Sequence, residues 1–271
     1  MVNEKKKFWT IGQIDATGVR GPHEKELEDM SRAKYQLFVN LDMSELETII
    51  LEDLGGKIEN IGFNEDWTIS IEFFPEVNIH FAYSYFGGEF GDDIEAEFKF
   101  YFSGERAIWV PGEDSATYID IVMDFLERKI KGELPFEKSY NTKSDMMERV
   151  LLQRSTPFQF LREEDKRELE DFIKATISIS NSIWHIKKEI FPKIFIEITW
   201  NPKQVLDITY FGENLEKSLS SYHIELIGVF VINHILRYIT IKYKDEKLPD
   251  ICYIMFSRLY TKEKNWKHRR N

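Results

Sequence analysis

Strict alternation of apolar and polar side chains between residues 67 and 102 is the clearest pattern in this sequence. A period of two places one set of side chains on each face of a sheet, and short connections make neighbouring strands antiparallel. The pattern predicts an antiparallel sheet over about residues 57–110, with one aromatic face buried and one polar face outside. The residues expected on the buried face are Trp67, Ile69, Ile71, Phe73, Val77, Ile79, Phe81, Tyr83, Tyr85, Ile94, Ala96, Phe98, Phe100 and Phe102.

Two segments with helical spacing flank this sheet. Residues 44–54 are predicted to form a helix, with Ser44 and Glu47 as a capping box and a glycine pair as the left-handed exit. A longer helix is predicted from Asp114 or Ser115 to about Lys131, with one apolar stripe. Laying these helices over the aromatic face completes a first domain of residues 1–135. The apolar stripe of the longer helix consists of Ile119, Val122, Met123, Leu126 and Ile130.

Three shorter elements of the first domain rest on weaker patterns. A charged helix is predicted around residues 24–32, a strand at residues 35–41 and a further short strand at residues 106–110.

The second half of the chain has helical periods on both sides of a hairpin. A connector is predicted at residues 136–160, with a short helix around 144–153, before a helix-rich domain of residues 161–271. That domain is expected to contain a long helix ending near Pro192, a hairpin around Asn201, and a second long helix after Gly212. Residues 239–243 alternate like a strand, and residues 251–259 fit either a helix or a strand. The predicted class is therefore α+β, with a β-hairpin between two long helices in the second part.

Charge is distributed unevenly between the two halves. Residues 1–135 carry 13 Lys and Arg against 28 Asp and Glu, and residues 136–271 carry 23 against 19, so the net charges are −15 and +4. Such asymmetry accompanies charged partners or packing between halves, and it also arises in two solvated surfaces with no shared role. Abundant Ile, Glu and Lys with few Gln favour a thermophilic source, although an AT-rich genome produces the same bias.

Cysteine content and hydropathy indicate the cellular compartment in which the protein is expected. Cys252 is the only cysteine, which excludes an internal disulfide and favours a reducing, cytoplasmic compartment. The long apolar run of residues 224–241 contains Glu225, Asn233, His234 and Arg237. Polar and ionisable groups at that density are costly inside a bilayer, so we expect a buried helix and no membrane partner.

The polar face of the first sheet is the candidate site for chemistry. Alternation directs Glu72, His80, Glu95 and Glu97 to the same side. If these side chains converge, carboxylates and imidazole offer the oxygen and nitrogen ligands of a divalent metal, or an acid–base pair. The alternative is an ordinary solvated sheet face.

The C-terminal tail is a second candidate. Basic and aromatic side chains there are suited to phosphate contacts and to stacking on a single-stranded nucleic acid. The alternatives are a frayed terminus and docking onto the acidic first domain. The residues concerned are Lys264, Trp266, Lys267, Arg269 and Arg270.

No complete catalytic motif occurs in the sequence, so an enzymatic role is left undecided. The favoured interpretation is a non-enzymatic protein that binds another protein or its own copy. The alternatives are a metal-dependent hydrolase, such as a nuclease, acting through the first sheet, and a nucleic-acid accessory protein acting through the tail.

Overall fold

In the computed structural model the chain divides into two compact units, residues 1–135 and 136–271. Each unit contains an antiparallel sheet together with helices, so the predicted α+β class is confirmed. Residues 136–160, which we predicted as a connector, belong to the second unit. The structure describes residues 7–14, 22–39, 41–87, 95–133, 140, 142–203, 206–213 and 215–256.

The first unit contains a five-stranded antiparallel sheet and helices that pack on its aromatic face. The strands lie side by side in the order β1-β5-β4-β3-β2. In chain order the strands are β1 (Phe8–Trp9), β2 (Lys57–Glu59), β3 (Trp67–Phe74), β4 (Val77–Tyr85) and β5 (Ala96–Ser103). The helices of this unit are α1 (Ile11–Ile14), α2 (Pro22–Lys34), α3 (Met43–Glu52) and α4 (Gly112–Lys131).

The register of the three long strands confirms the predicted alternation. Ile69 lies opposite Phe81, and Phe81 lies opposite Phe100, so the aromatic and branched side chains share one face. Tyr85 departs from the prediction because it is 48% exposed at the end of β4, where its ladder with β5 stops. Ile94 lies outside the described residues.

Helix α4 covers the aromatic face, as its spacing predicted. The ring of Tyr118 on this helix stacks on Phe73 of β3, with 4.2 Å between ring centroids. Most of the predicted stripe is fully buried, while Ile130 in the last turn is only partly covered. The fully buried members are Ile119, Val122, Met123 and Leu126.

Two strands predicted in the first unit are wrong. Residues 35–41 contain the 3₁₀ helix Tyr35–Phe38 instead of a strand. Its Phe38 ring packs over the sheet against Trp67 and Phe98, at centroid distances of 5.9 and 4.9 Å, so the segment crosses the face instead of extending the edge. Residues 106–110 likewise contain a 3₁₀ helix, Ala107–Trp109.

Helix α3 is confirmed, but its cap differs from the prediction. Asp42 is the N-cap residue, because its Oδ1 accepts the Ser44 backbone N–H at 2.8 Å. Gly55 provides the expected left-handed exit, with φ of 65°.

The second unit contains a four-stranded antiparallel sheet in the order β6-β7-β8-β9. The short helix predicted near residues 144–153 is confirmed as α5, and the predicted hairpin after Pro192 is confirmed as β8 and β9. The strands are β6 (Thr176–Ser180), β7 (Ile183–Phe191), β8 (Ile194–Trp200) and β9 (Asp207–Gly212). The helices are α5 (Asp145–Arg154), α6 (Lys166–Ile173), α7 (Leu215–Ser218), α8 (Ser221–Lys242) and α9 (Asp250–Met255).

The first long helix predicted for this unit is wrong. Helix α6 ends at Ile173, the next residue, Lys174, has a left-handed φ of 52°, and the chain then forms β6 and β7. Asn181 and Ser182 connect these strands as a two-residue turn with φ of 50° and 63°. Positive φ at both positions is typical of the turn type that matches the twist of a hairpin. The hairpin therefore replaces the second half of the predicted helix.

Helix α8 forms the core of the second unit and confirms the predicted buried helix. In the described part of the chain it is the one helix long and apolar enough to cross a membrane, and 89% of that apolar window is buried within the fold. Gly228 allows the sheet to approach closely, since a Cβ there would lie 2.7 Å from Ile208 Cδ1. The strand predicted at residues 239–243 is wrong, because α8 continues to Lys242.

The close approach of two turns in the first unit gives a test of this packing. A Cβ added at Gly104, where φ is 108°, would lie 2.0 Å from the carbonyl oxygen of Glu76. At Gly132, where φ is 68°, no described atom lies within 4 Å of the added Cβ. We expect Gly132→Ala to cost about 1 kcal/mol through backbone strain alone, and Gly104→Ala to cost more than about 4 kcal/mol through strain and collision. Urea unfolding of both variants measures the difference, and equal losses would contradict the contact.

Candidate functional site

The polar face of the first sheet is built around a buried histidine. His80 is fully buried, although the sequence predicted it on the solvent side. Its Nδ1 lies 2.6 Å from Ser70 Oγ, and its Nε2 lies 2.7 Å from Ser103 Oγ. A neutral imidazole donates through one nitrogen and accepts through the other, so both nitrogens are engaged by these hydroxyl groups. The arrangement stabilises the centre of the sheet.

An aromatic cover shields this histidine. The Phe8 ring meets the His80 ring edge-on, with 5.2 Å between centroids. The Phe63 ring stacks on Tyr101 at 4.4 Å and an angle of 10°, and it also meets Phe8. The sequence did not predict this cover, because Phe8 and Phe63 come from segments without a clear periodic pattern.

The expectation that four predicted metal ligands converge is wrong. Glu72 lies opposite Asn78 and Glu97 lies opposite Ser84, six residues further along β4. At about 3.3 Å per residue, these two carboxylates stand roughly 20 Å apart along the sheet.

The remaining predicted ligands are also engaged or displaced. Glu97 forms an ion pair with Lys99 at 2.6 Å, and Glu95 is exposed just before β5. The residues that the structure describes include no group of three or more His, Cys, Asp or Glu suited to a metal ion.

Glu65 holds the loop that carries part of the aromatic cover. Its carboxylate accepts the backbone N–H groups of Gly62 at 3.2 Å and Phe63 at 2.7 Å, and also that of Ile61. Burial by itself raises the pKa of this carboxyl, but hydrogen bonds from backbone amides and from Thr68 bring the pKa below its usual value. Glu65 therefore fixes Phe63 above Tyr101.

Cys252 and the C-terminal tail are the other features singled out in the sequence. Cys252 is buried, and burial raises its pKa. The basic and aromatic tail lies outside the described residues, so its proposed nucleic-acid contacts stay a prediction. That tail consists of Lys264, Trp266, Lys267, Arg269 and Arg270.

The edge of the second sheet at β6 is the feature best suited to contact with another polypeptide. Strand β6 has the sequence Thr-Ile-Ser-Ile-Ser and contains no charged residue. It pairs with β7 on one side, and no strand of the described chain pairs with its other side. Thr176, Ser178 and Ser180 are exposed. An uncharged strand at a sheet edge is a template for further pairing.

A hydrogen bond to Glu170 shows which peptide groups of β6 point away from β7. The Ile177 N–H donates to Glu170 Oε1 at 2.8 Å, so it points away from β7. Peptide groups alternate in direction along an antiparallel strand, and those of Ile179 therefore also point away from β7. Glu170 blocks the edge at Ile177, and within the described part of the chain nothing hydrogen-bonds to the outward peptide group of Ile179.

A groove of about 770 Å³ adjoins the beginning of β6. Beside it, the stacked rings of Phe195 and Phe211 lie 5.6 Å apart, and the Lys187 ammonium lies 4.2 Å and 4.9 Å from their centroids. Aromatic rings with a cation above them are common anchors in protein interfaces. The groove is lined by Glu170, Asp171, Lys174, Ala175, Thr176, Lys187, Glu189 and Phe195.

The other sheet edges are protected in ways that β6 is not. The first sheet ends in strands of two and three residues, and the outer strand β2 carries a Lys57–Glu59 ion pair at 2.7 Å. On β9, Asp207 pairs with Lys143 at 2.8 Å and accepts the Ile208 N–H at 2.9 Å. Short edges and charged edges prevent unwanted pairing, so β6 is distinguished by lacking both devices.

Sequence reasoning missed β6 because the apolar positions of residues 176–191 fit a helix as well as a strand. The signal that could have found it is the alternation of Thr176 to Ser180, which is rich in the β-branched residues that strands favour.

Comparison of the chain with family models, curated proteins and solved structures gives no match. The function is therefore argued from the chemistry of the site itself.

Glu65 yields a pH-dependent prediction. Because its pKa is lowered in the fold, the stabilisation is fully present above the ordinary value of 4.5 and is lost as the pH falls through the folded value. We expect Glu65→Gln to reduce the free energy of unfolding by about 1–3 kcal/mol at neutral pH, because an amide cannot accept all of the same hydrogen bonds.

The difference between the two proteins should shrink when urea unfolding is repeated well below pH 4.5. The exposed Glu105 serves as a matched control, and Glu105→Gln should leave stability nearly unchanged at both pH values. A Glu65→Gln loss that stays constant with pH would contradict the role of the ionised carboxylate.

Proposed function

We propose that this chain is a non-enzymatic interaction protein that associates with a second copy of itself through the edge strand β6. The observation that carries the proposal is the outward peptide group of Ile179, which has no partner among the described residues, on an uncharged edge strand. Strand addition at a sheet edge supplies main-chain hydrogen bonds, and the side chains next to the strand supply selectivity.

Self-complementarity supports a second copy as the partner. An edge without charge meets its own copy without like-charge repulsion, and its serine and threonine hydroxyls can face one another across the pair. Antiparallel pairing of β6 with β6 of another copy uses the same surface twice and closes as a dimer. Pairing of β6 with β9 would leave open ends and would have to displace the Lys143–Asp207 ion pair.

The length of the unpaired edge determines how strongly two copies are expected to associate. Strand β6 has five residues, and Glu170 occupies the edge at Ile177. Few main-chain hydrogen bonds are therefore available, and we expect reversible association that depends on concentration.

The two alternatives from the sequence receive less support. A metal-dependent hydrolase on the first sheet needs ligands that the strand register separates. A nucleic-acid accessory role through the tail stays a prediction, which binding measurements after deletion of residues 262–271 would test.

Two substitutions on β6 test the proposal. Ile179→Pro removes the outward N–H without removing a hydrogen bond to β7, and Ser178→Lys places charge on the edge. We expect each to raise the dimer dissociation constant at least about tenfold. Light scattering after size-exclusion chromatography and sedimentation equilibrium measure the constant over a wide concentration range.

Thr209→Lys is the matched control, because Thr209 is also an exposed position of an edge strand but lies on β9. It should leave the dissociation constant unchanged. Circular dichroism confirms that each variant is folded, and Ser178→Lys keeps the test valid if the proline destabilises the hairpin. A strictly monomeric native chain at high concentration, or equal effects of Ser178→Lys and Thr209→Lys, would overturn the proposal.

A further inference from the structure

We infer that two copies pair about a two-fold axis at Ile179, so that Asn181 of each copy lies beside Glu170 at the groove of the other. This inference rests on the proposed self-association and adds its register and the side chains that meet.

Hydrogen bonding selects this register. When β6 pairs with itself about Ile179, the two Ile179 residues lie opposite each other and exchange both N–H···O bonds. The Ile177 N–H then keeps its bond to Glu170. Pairing about Ser178 would place Ile177 opposite Ile179 of the other copy and would require the Ile177 N–H to leave Glu170. The register about Ile179 therefore uses the open peptide group on both copies and keeps the existing bond, which the register about Ser178 does not.

Side chains are compatible with the same register. Ser178 lies opposite Ser180 of the other copy, and both are exposed hydroxyl residues. The partly buried Ile179 side chains meet across the axis and cover one another. Hydroxyl pairs and branched apolar pairs are both favourable across antiparallel strands.

Extending the register one pair beyond Ser178 and Ser180 brings Asn181 of one copy to the groove of the other. Asn181 then lies opposite Ile177, whose N–H is held by Glu170 of the groove lining. Beyond Asn181 the chain turns toward β7 of its own copy. Asn181 is exposed in the single chain, and the groove of about 770 Å³ has room for its side chain.

Hydrogen bonding makes Asn181 and Glu170 complementary. The groove lining as a whole carries both signs of charge, with Glu170, Asp171 and Glu189 against Lys174 and Lys187. Glu170 is the carboxylate at the edge beside Ile177, where the register places Asn181 of the other copy. A carboxylate accepts hydrogen bonds, and the side-chain amide of Asn181 is a neutral donor. A hydrogen bond to an ionised acceptor is stronger than one between neutral groups, so each copy contributes a donor to a carboxylate of its partner.

Cysteine pairs test the register directly. In pairing about Ile179, residues 178 and 180 of different copies form a non-hydrogen-bonded pair with Cα atoms about 4.5 Å apart, which a disulfide can bridge. We therefore expect a mixture of Ser178→Cys chains and differently tagged Ser180→Cys chains to form a mixed disulfide dimer under mild oxidation. Neither variant should crosslink efficiently alone. The native chain is the background control, since Cys252 is fully buried.

The possible crosslinking results test the register and the self-association separately. Efficient crosslinking of Ser178→Cys alone would overturn the register in favour of an axis at Ser178 and leave the proposed association standing. A dimer that forms without any of these crosslinks would overturn pairing through β6. A chain that stays monomeric would overturn both.

Substitution of Asn181 tests its contact with Glu170. Asn181→Asp places a carboxylate against the Glu170 carboxylate, and we expect the dissociation constant to rise at least about tenfold at low salt, with recovery as salt is added. Asn181→Gly keeps a residue suited to positive φ and removes only the amide, so its effect should be smaller. Sedimentation equilibrium gives both constants, and an Asn181→Asp constant equal to that of the native chain would place Asn181 away from Glu170.

Discussion

The pairing of β6 with β7 is the interaction on which the functional interpretation depends. The turn at Asn181 and Ser182 reverses the chain, and both residues adopt positive φ to do so. With the hairpin formed, Trp184 and Ile186 are buried, and the opposite side of β6 is left as an edge. A helix over the same residues would have no open peptide groups along its side, because its backbone hydrogen bonds are internal.

A single carboxylate limits that edge. Glu170 on α6 takes the Ile177 N–H, so the hydrogen-bonding capacity of β6 is partly used within its own unit. Natural sheets restrict their edges in this way to prevent uncontrolled pairing. The remaining opening at Ile179 is short, and a short opening favours one defined partner over extended aggregation. In the proposed self-association, the same few atoms therefore limit pairing at the edge and form the contact with the second copy.

In the first unit, the side chains on the polar face of the sheet stabilise the fold. His80, Ser70 and Ser103 satisfy one another beneath an aromatic cover, and Glu65 positions one ring of that cover. A buried polar group is costly unless it is hydrogen-bonded, and this network meets that condition at the centre of the sheet. The histidine that looked like a metal ligand in the sequence is instead a satisfied interior residue.

The sequence by itself determined the α+β class, the three long strands of the first sheet and the burial of helix α8. Each of these follows from the spacing of apolar residues along one short segment of the chain. The tertiary structure decided the environment of His80, since Phe8 and Phe63 reach it from distant segments. It also decided that residues 176–191 form strands. Ile177 and Trp184 are seven residues apart, which fits one face of a helix. In the structure they share one face of a hairpin because the turn at Asn181 and Ser182 lies between them. Strand β7 also pairs with β8, and the sheet approaches α8 closely at Gly228. Local periodicity indicates which side chains are buried, but it does not indicate which distant segment of the chain covers them.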